Sequence, residues 1–188
     1  MTDKDITIRE ALATDAPFIA LVVCMALDSD ATHPLYEIFE KLAARDDAQY
    51  SYRNTLIAEV DGKPVAAIVG YDGALLHKLR EPLHTMMRET LGRTIEIEEE
   101  TSAGEFYADS LAVLPEYRGR GIGSKLLNTI CERAFANNFK RVGLLVDFEN
   151  PKAGALYSSL GFVRINAITF LGHRMWHLQR ENHSTPKN

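Results

Sequence analysis

Long apolar runs are missing from this sequence. No stretch of 18 or more residues is continuously apolar, and the first ten residues, MTDKDITIRE, contain no basic segment followed by an apolar one. A membrane-spanning helix needs about 20 apolar residues, and a secretory signal needs that basic-then-apolar order. The sequence therefore predicts no membrane partner and a cytoplasmic location.

Cysteine is scarce, and the 21 lysines and arginines are outnumbered by 26 acidic residues. The two cysteines, Cys24 and Cys131, lie far apart in apolar segments without metal-ligand spacing, so we interpret them as reduced core thiols. His173 and His177 are four residues apart, but in a strand that spacing is about 13 Å, too far for a shared metal. We therefore predict no metal site. The net charge of -5 argues against nucleic acid as a partner, because phosphates require a basic surface.

The pattern that is present is one of alternating strands and helices, in the length of a single domain. Strands are predicted at DITIRE, on both sides of a hairpin turn at Asp61-Gly62, at EFYADSLAVL, at RVGLLVD, and twice in FVRINAITFLGHRMWHL. Helices are predicted from a capping Asp15 to about Leu27, and over residues 35–48, 74–92, 123–137 and 151–160. We interpret the acidic run EIEEE as a solvated face, and the alternative is that Glu98 to Glu100 attract a cationic acceptor. The order predicts a mixed α/β (α+β) sheet with helices on its faces.

The stretch RGRGIGSKLL, residues 118–127, places three glycines before an apolar-periodic helix. Glycine permits positive φ and lets backbone N–H groups approach a ligand closely. An anion suits that position, because the unpaired amides and the positive end of the helix dipole both attract it. The spacing fits neither the Walker pattern nor the dinucleotide pattern. The sequence therefore predicts a phosphate site of another kind.

Two motifs in this half of the chain resemble the GNAT superfamily of acetyl-CoA-dependent N-acetyltransferases. LAVLPEYRGRGIGSKLL is similar to the family's phosphate-binding signature Q/R-x-x-G-x-G/A, which follows a strand. ENPKAGALYSSLGF resembles a second family motif, N-x-x-A-x-x-x-Y-x-x-x-G-F, carried here by Asn150, Ala153, Tyr157, Gly161 and Phe162. The resemblance is strong over residues 105–162 and weak over 73–102. We therefore predict one domain over residues 1–180 with a variable insertion at 73–102, followed by a polar tail at 181–188.

The resemblance implies a central mixed, mostly antiparallel sheet that splays between two strands and is flanked by helices. It also implies acetyl-CoA as cosubstrate and no metal. The pantetheine arm would bond to the backbone of a splayed strand, and the pyrophosphate would lie on the glycine-rich loop. The implied cofactor-binding residues are Leu111, Ala112, Val113, Arg118, Gly119, Arg120, Gly121, Ile122, Gly123, Ser124, Asn150, Ala153 and Tyr157.

The implied reaction is direct transfer of an acetyl group to a primary amine. By family analogy Tyr157 donates a proton to the departing sulfur, and the alternative is an ordinary core tyrosine. Asp109 and Glu105 are candidates for the general base, because they share strand parity with the pantetheine-binding positions. The alternatives are a solvated carboxylate or no dedicated base at all. A backbone N–H near Leu111 would polarise the thioester carbonyl.

Two functions from different classes stay open. The favoured one is an enzyme that acetylates an amine carried by a small molecule or a protein. The second is a non-catalytic module that binds or senses CoA or acetyl-CoA. The sequence also leaves open a homodimer in which the closing strands pair.

Overall fold

The structure, a computed structural model, describes residues 6–93 and 95–182. Within these ranges the strands are β1 (Ile6–Glu10), β2 (Thr55–Val60), β3 (Lys63–Asp72), β4 (Phe106–Val113), β5 (Arg141–Asp147), β6 (Val163–Phe170) and β7 (His173–Glu181). The α-helices are α1 (Ala16–Ala26), α2 (Tyr36–Ala43), α3 (Leu76–Leu91), α4 (Ile122–Ala136) and α5 (Pro151–Ser159). Most of the predicted polar tail lies outside the described residues.

The strands form one sheet in the order β1-β2-β3-β4-β5-β7-β6. Every neighbouring pair in it is antiparallel except β4 and β5. These two strands pair only through Phe106 with Val142 and Tyr107 with Gly143, and the rest of the two strands is unpaired with one another in the described residues. The predicted mixed, mostly antiparallel sheet that splays between two strands is therefore confirmed.

Helices cover both faces of this sheet. α1, α2 and α3 pack on one face, around Ile19, Leu42 and Leu83. α4 packs on the other face through one stripe of its surface, which includes Leu126 and Ile130. Residues three, four and seven apart share one side of a helix, so the apolar spacing in the sequence dictates which face is buried.

The hairpin between β2 and β3 forms at the predicted dipeptide. Asp61 has φ 51° and Gly62 has φ 72°. A two-residue turn with positive φ at both positions matches the right-handed twist of the strands that it joins. The prediction from the sequence is confirmed at this turn.

Two local predictions need correction. The Asp15 carboxylate accepts from the Leu12 amide at 2.8 Å and pairs with Arg9 at 2.7 Å, so it does not cap α1 with its side chain. α2 ends at Ala43 instead of reaching residue 48. The carbonyls of residues 48 and 49 lie outside the helix and accept from the Asn54 side chain, at 3.0 and 3.1 Å.

Candidate active site

The parting of β4 and β5 opens a cavity of about 570 Å³. Asp109 and Leu111 line it from β4, and Tyr157 lines it from α5. Asn150 and Ala153, at the start of α5, contribute to the same wall. Five of the residues that the sequence singled out therefore meet at one cavity.

The glycine-rich loop leads from β4 into α4 with two left-handed residues. Gly119 has φ 74° and Gly121, the N-terminal cap residue of α4, has φ 75°. The first intrahelical hydrogen bond runs from the Lys125 amide to the Gly121 carbonyl, at 3.0 Å. The amides of residues 122–124 therefore precede the bonded part of the helix, where backbone donors lack intrahelical acceptors.

Gly123 differs from the other two glycines in this loop. Its φ is not positive, and an added Cβ would meet only Val113 Cγ2, at an ordinary distance of 3.6 Å. The fold itself therefore does not require glycine at this position. A glycine that the fold does not need is consistent with a ligand that approaches the backbone closely.

Two arginines of the loop are exposed and lie against the loop's own backbone. Arg118 Nε donates to the Val113 carbonyl at 3.0 Å. Arg120 Nη2 donates to the Glu116 carbonyl at 2.9 Å, and its guanidinium lies 5.0 Å from the centre of the Tyr117 ring. These contacts keep two positive charges beside the amides at the start of α4, which favours an anion there.

The second motif builds the wall that carries Tyr157. Asn150 caps α5, because its Oδ1 accepts from the Ala153 amide at 3.1 Å. Tyr157 follows two turns later and packs near the ring of Phe162, with 6.2 Å between ring centres. Burial raises the pKa of Tyr157, so its phenol is protonated at neutral pH.

Asp109 is half-buried in the cavity and is held by neutral donors. Its Oδ2 accepts from Gln49 Nε2 at 2.8 Å and from the Tyr71 hydroxyl at 2.7 Å, while Oδ1 accepts from Ser110 Oγ at 2.8 Å. In the described part of the chain no Lys, Arg or His nitrogen lies within 4.0 Å of this carboxylate. Its negative charge therefore has no cationic partner among these residues.

Glu100 and Arg80 form a buried ion pair beside Asp109. Glu100 Oε1 lies 3.0 Å from Gln49 Nε2 and 3.2 Å from the Tyr71 hydroxyl, so the two carboxylates share their neutral donors. Arg80 also donates to the backbone carbonyls of residues 97 and 98, at 3.2 and 3.1 Å. Burial and the nearby charge of Asp109 raise the pKa of Glu100. The ion pair with Arg80 lowers this pKa, but by less, so the net shift is upward.

This cluster corrects the interpretation of the acidic run EIEEE. Three of its glutamates are exposed, but Glu100 is only 4% exposed. Gln49, Tyr71 and Arg80 also belong to this cluster and were not predicted from the sequence. A signal was present for one of them, because Arg80 interrupts the buried stripe of α3 that includes Leu83. A charged residue within an apolar stripe requires a buried partner.

The predicted parity of Asp109 with Leu111 is wrong. Ile68 of β3 lies opposite Leu111, and Gly70 lies opposite Ala108. Between these two pairs β4 advances by three residues and β3 by only two, so β4 contains one extra residue. This bulge reverses the alternation of side chains. Asp109 therefore points to the face that carries Tyr71, while Leu111 packs with the core under α4.

Glu105, the other candidate base, lies outside the cavity lining and is 3% exposed. Its carboxylate accepts from His177 Nε2 at 3.0 Å, from Gln179 Nε2 at 2.7 Å and from Thr101 Oγ1 at 2.7 Å. Burial by itself would raise the pKa of Glu105, but these hydrogen bonds outweigh it and hold the pKa below its usual value. Gly143 makes room for this carboxylate, because an added Cβ would clash with Glu105 Oε2.

The two histidines have separate carboxylate partners. His177 contacts Glu105, and His173 Nδ1 lies 3.0 Å from Asp147 Oδ2. Across residues 6–93 and 95–182, no group of three or more His, Cys, Asp or Glu side chains is placed to hold a metal ion. In the same ranges, no helix has both the length and the apolar character needed to cross a bilayer.

Comparison with known proteins agrees with this geometry. Residues 24–162 match the family model of the acetyltransferase (GNAT) family. The thialysine N-epsilon-acetyltransferase of Sus scrofa is 42% identical over 55 residues, which are 29% of this chain and 32% of that protein. The chain thus matches about a third of the length of this curated relative.

Two solved structures are similar over nearly their whole length. An acetyltransferase is 31% identical with a TM-score of 0.78, over 93% of this chain and 98% of that one. An N-acetyltransferase from Staphylococcus aureus Mu50 is 27% identical with a TM-score of 0.80, over 92% of this chain and 99% of that one. The family model covers well over half of the chain, and the matched range includes the glycine-rich loop and the cavity-lining residues Asp109, Asn150 and Tyr157. The chain therefore belongs to the acetyltransferase (GNAT) family.

Proposed function

We propose that this protein transfers an acetyl group from acetyl-CoA directly to a primary amine. The observation that carries the proposal is the placement of Asp109 and Tyr157 on different walls of one cavity. Among the described residues, one is a carboxylate without a cation within 4.0 Å, and the other is a protonated phenol. A proton acceptor and a proton donor at one reacting centre are the two groups that this reaction needs.

Acetyl-CoA would lie across the parted strands and the glycine-rich loop. The backbone at Leu111, Ala112 and Val113 would bond the pantetheine amides. The pyrophosphate would take the amides of residues 119–124, with the charges of Arg118 and Arg120 beside it. Two observations support this fit, namely the unbonded amides at the start of α4 and the room beside Gly123.

The transfer proceeds in one step. The amine nitrogen forms a bond to the thioester carbonyl carbon, and the carbon–sulfur bond breaks. The bound ammonium group first loses one proton through Asp109 to solvent, which leaves a neutral amine. When the new bond forms, Asp109 receives the second proton that nitrogen loses, directly or through water, and Tyr157 gives its proton to the departing sulfur. The products are the acetamide and the CoA thiol, and solvent restores both protonation states. A backbone N–H near Leu111 polarises the carbonyl oxygen. In this proposal Glu105 holds the strands in place and takes no proton.

The experiment measures thiol release from acetyl-CoA with a panel of primary amines. Tyr157→Phe and Asp109→Asn are each expected to lower kcat/KM by about 100-fold or more. Melting temperatures with and without acetyl-CoA check that both variants fold and bind, since a saturating ligand raises the melting temperature.

Two results would contradict the proposal. An undiminished Tyr157→Phe enzyme would remove the acid role of this residue. A melting-temperature rise with acetyl-CoA, but no thiol release with any amine, would favour a sensing module that binds acetyl-CoA without chemistry.

A further inference from the structure

The side of the cavity that faces away from α5 has an apolar wall and an acidic floor. α1, α2, α3 and the segment before β4 supply the wall, which consists of Met25, Leu35, Phe39, Leu83, Met87, Ile95 and Ile97. Asp109, Glu100 and Gln49 form the floor. A molecule bound here would have its polar group at the floor and its remaining surface against hydrocarbon.

The charges of the lining limit what that molecule can carry. Four acids line the cavity, at positions 28, 100, 109 and 147. Among the described lining residues, Arg80 is the one Lys or Arg side chain, and it is already paired with Glu100 and two backbone carbonyls. Among the described lining residues, an acceptor with a carboxylate would therefore meet four acids, no Lys or Arg that lacks a carboxylate partner, and a His173 that already contacts Asp147.

The floor itself suits a single ammonium group. Asp109 is half-buried, is oriented by three neutral donors and has no cation within 4.0 Å in the described residues. A partly desolvated carboxylate in that state is stabilised by a cation that arrives with the ligand. A second ammonium group on the same ligand would lie along the apolar wall, where its desolvation is compensated only if it reaches Asp28 beyond the end of α1 or Asp147 at the end of β5.

We infer that the acceptor is a small primary monoamine with a hydrocarbon body, an alkylamine or arylalkylamine, held with its ammonium group at Asp109 and its body along the wall at Ile97. This inference rests on the proposed acetyl transfer. It separates the acceptor from amino acids and from polyamines, because those carry a second charge into the apolar part of the cavity.

The test compares three amines with the same six-carbon chain. Hexylamine, 1,6-diaminohexane and 6-aminohexanoate differ only in ending with a methyl, an ammonium or a carboxylate group. We expect kcat/KM to be highest for hexylamine and lowest for 6-aminohexanoate, by at least tenfold between them. From propylamine to hexylamine each added methylene should raise kcat/KM by up to about fourfold.

A substitution in the wall should reverse this preference. Ile97 is partly exposed and its side chain lines the cavity, so Ile97→Asp places a carboxylate along the ligand without emptying the core. This variant should lose activity with hexylamine and gain it with 1,6-diaminohexane. Ile165→Asp is the matched control, because Ile165 is 53% exposed on β6 and outside the cavity lining. It should keep the preference of the wild type.

A binding measurement separates this inference from the proposed reaction. With saturating CoA, hexylamine should raise the melting temperature more than 6-aminohexanoate does, whether or not any amine is acetylated. Equal shifts, equal kcat/KM for the three amines, or a preference for the diamine in the wild type would overturn the inference. Absence of thiol release with every amine, together with the expected melting shifts, would overturn the proposed reaction and leave the monoamine site standing.

Discussion

Asp109 Oδ2 lies 2.7 Å from the hydroxyl of Tyr71, which donates across the sheet from β3 to β4. The same hydroxyl lies 3.2 Å from Glu100 Oε1. One phenol therefore holds two carboxylates that would repel each other without shared donors. The position of Asp109 in the cavity depends on this contact.

Removal of that hydroxyl tests its role in positioning Asp109. Tyr71→Phe should lower kcat/KM for amines by about tenfold and the free energy of unfolding by about 1–2 kcal/mol, because half-buried Asp109 and buried Glu100 lose the one hydroxyl proton that they share. The affinity for acetyl-CoA, measured by calorimetry, should not change. The control is Tyr36→Phe, since the Tyr36 hydroxyl makes an exposed hydrogen bond to the Pro17 carbonyl. A loss of stability without any loss of kcat/KM would show that Tyr71 has only a structural role.

Glu105 should contribute to stability in a pH-dependent way. Its pKa in the folded protein is below the usual value, so the fold favours the ionised form. The stabilisation is therefore present above the ordinary glutamate pKa of about 4.3, and it is lost as the pH falls through the lowered folded pKa. Glu105→Gln should cost about 1–3 kcal/mol at pH 7, from hydrogen bonds that lose a charged acceptor.

The measurement is urea denaturation of wild type and Glu105→Gln at several pH values between 7 and the acid limit of folding. The difference between the two proteins should shrink as the pH falls. A constant difference would mean that packing, and not the charge, determines the contribution of Glu105. The kcat/KM of Glu105→Gln with amines also distinguishes the roles of the two carboxylates. A decrease in kcat/KM as large as that of Asp109→Asn would show that Glu105 takes part in the reaction.

The loop glycines should divide into one that the fold needs and one that the ligand needs. Gly121→Ala should destabilise the free protein by about 1 kcal/mol, because alanine is strained at φ 75°. Gly123→Ala should leave the free protein as stable or more stable, by up to about 1 kcal/mol, because alanine favours a helix and its Cβ has room.

The affinity for CoA should separate the two glycines in a different way, with the larger effect at Gly123. Gly123→Ala should weaken CoA by about tenfold or more in calorimetry, because the new methyl group keeps the pyrophosphate from the amides. Unchanged affinity in this variant would remove the loop from the proposed binding site. The melting temperatures of both variants without ligand supply the control for folding.

The sequence by itself determined the parts of this protein that depend on neighbouring residues. Asp61-Gly62 dictates its turn through backbone sterics, and Asn150 caps α5 through a side chain three residues from its partner. The loop before α4 likewise needs only two glycines at left-handed positions and an apolar stripe behind them. These features join residues that are close in sequence, so the sequence pattern is sufficient to predict their geometry.

The tertiary structure alone decided which carboxylate reaches the cavity. A bulge in β4, which depends on pairing with β3, turns Asp109 away from the face of Leu111. Glu105 is instead held by His177, 72 residues away in sequence. The cluster beside Asp109 combines Gln49 from a turn, Arg80 from α3 and Glu100 from the irregular segment before β4. These three residues meet only because the helices pack over one face of the sheet. Burial forces such polar groups to find partners, and spacing along the chain does not show which partners those are.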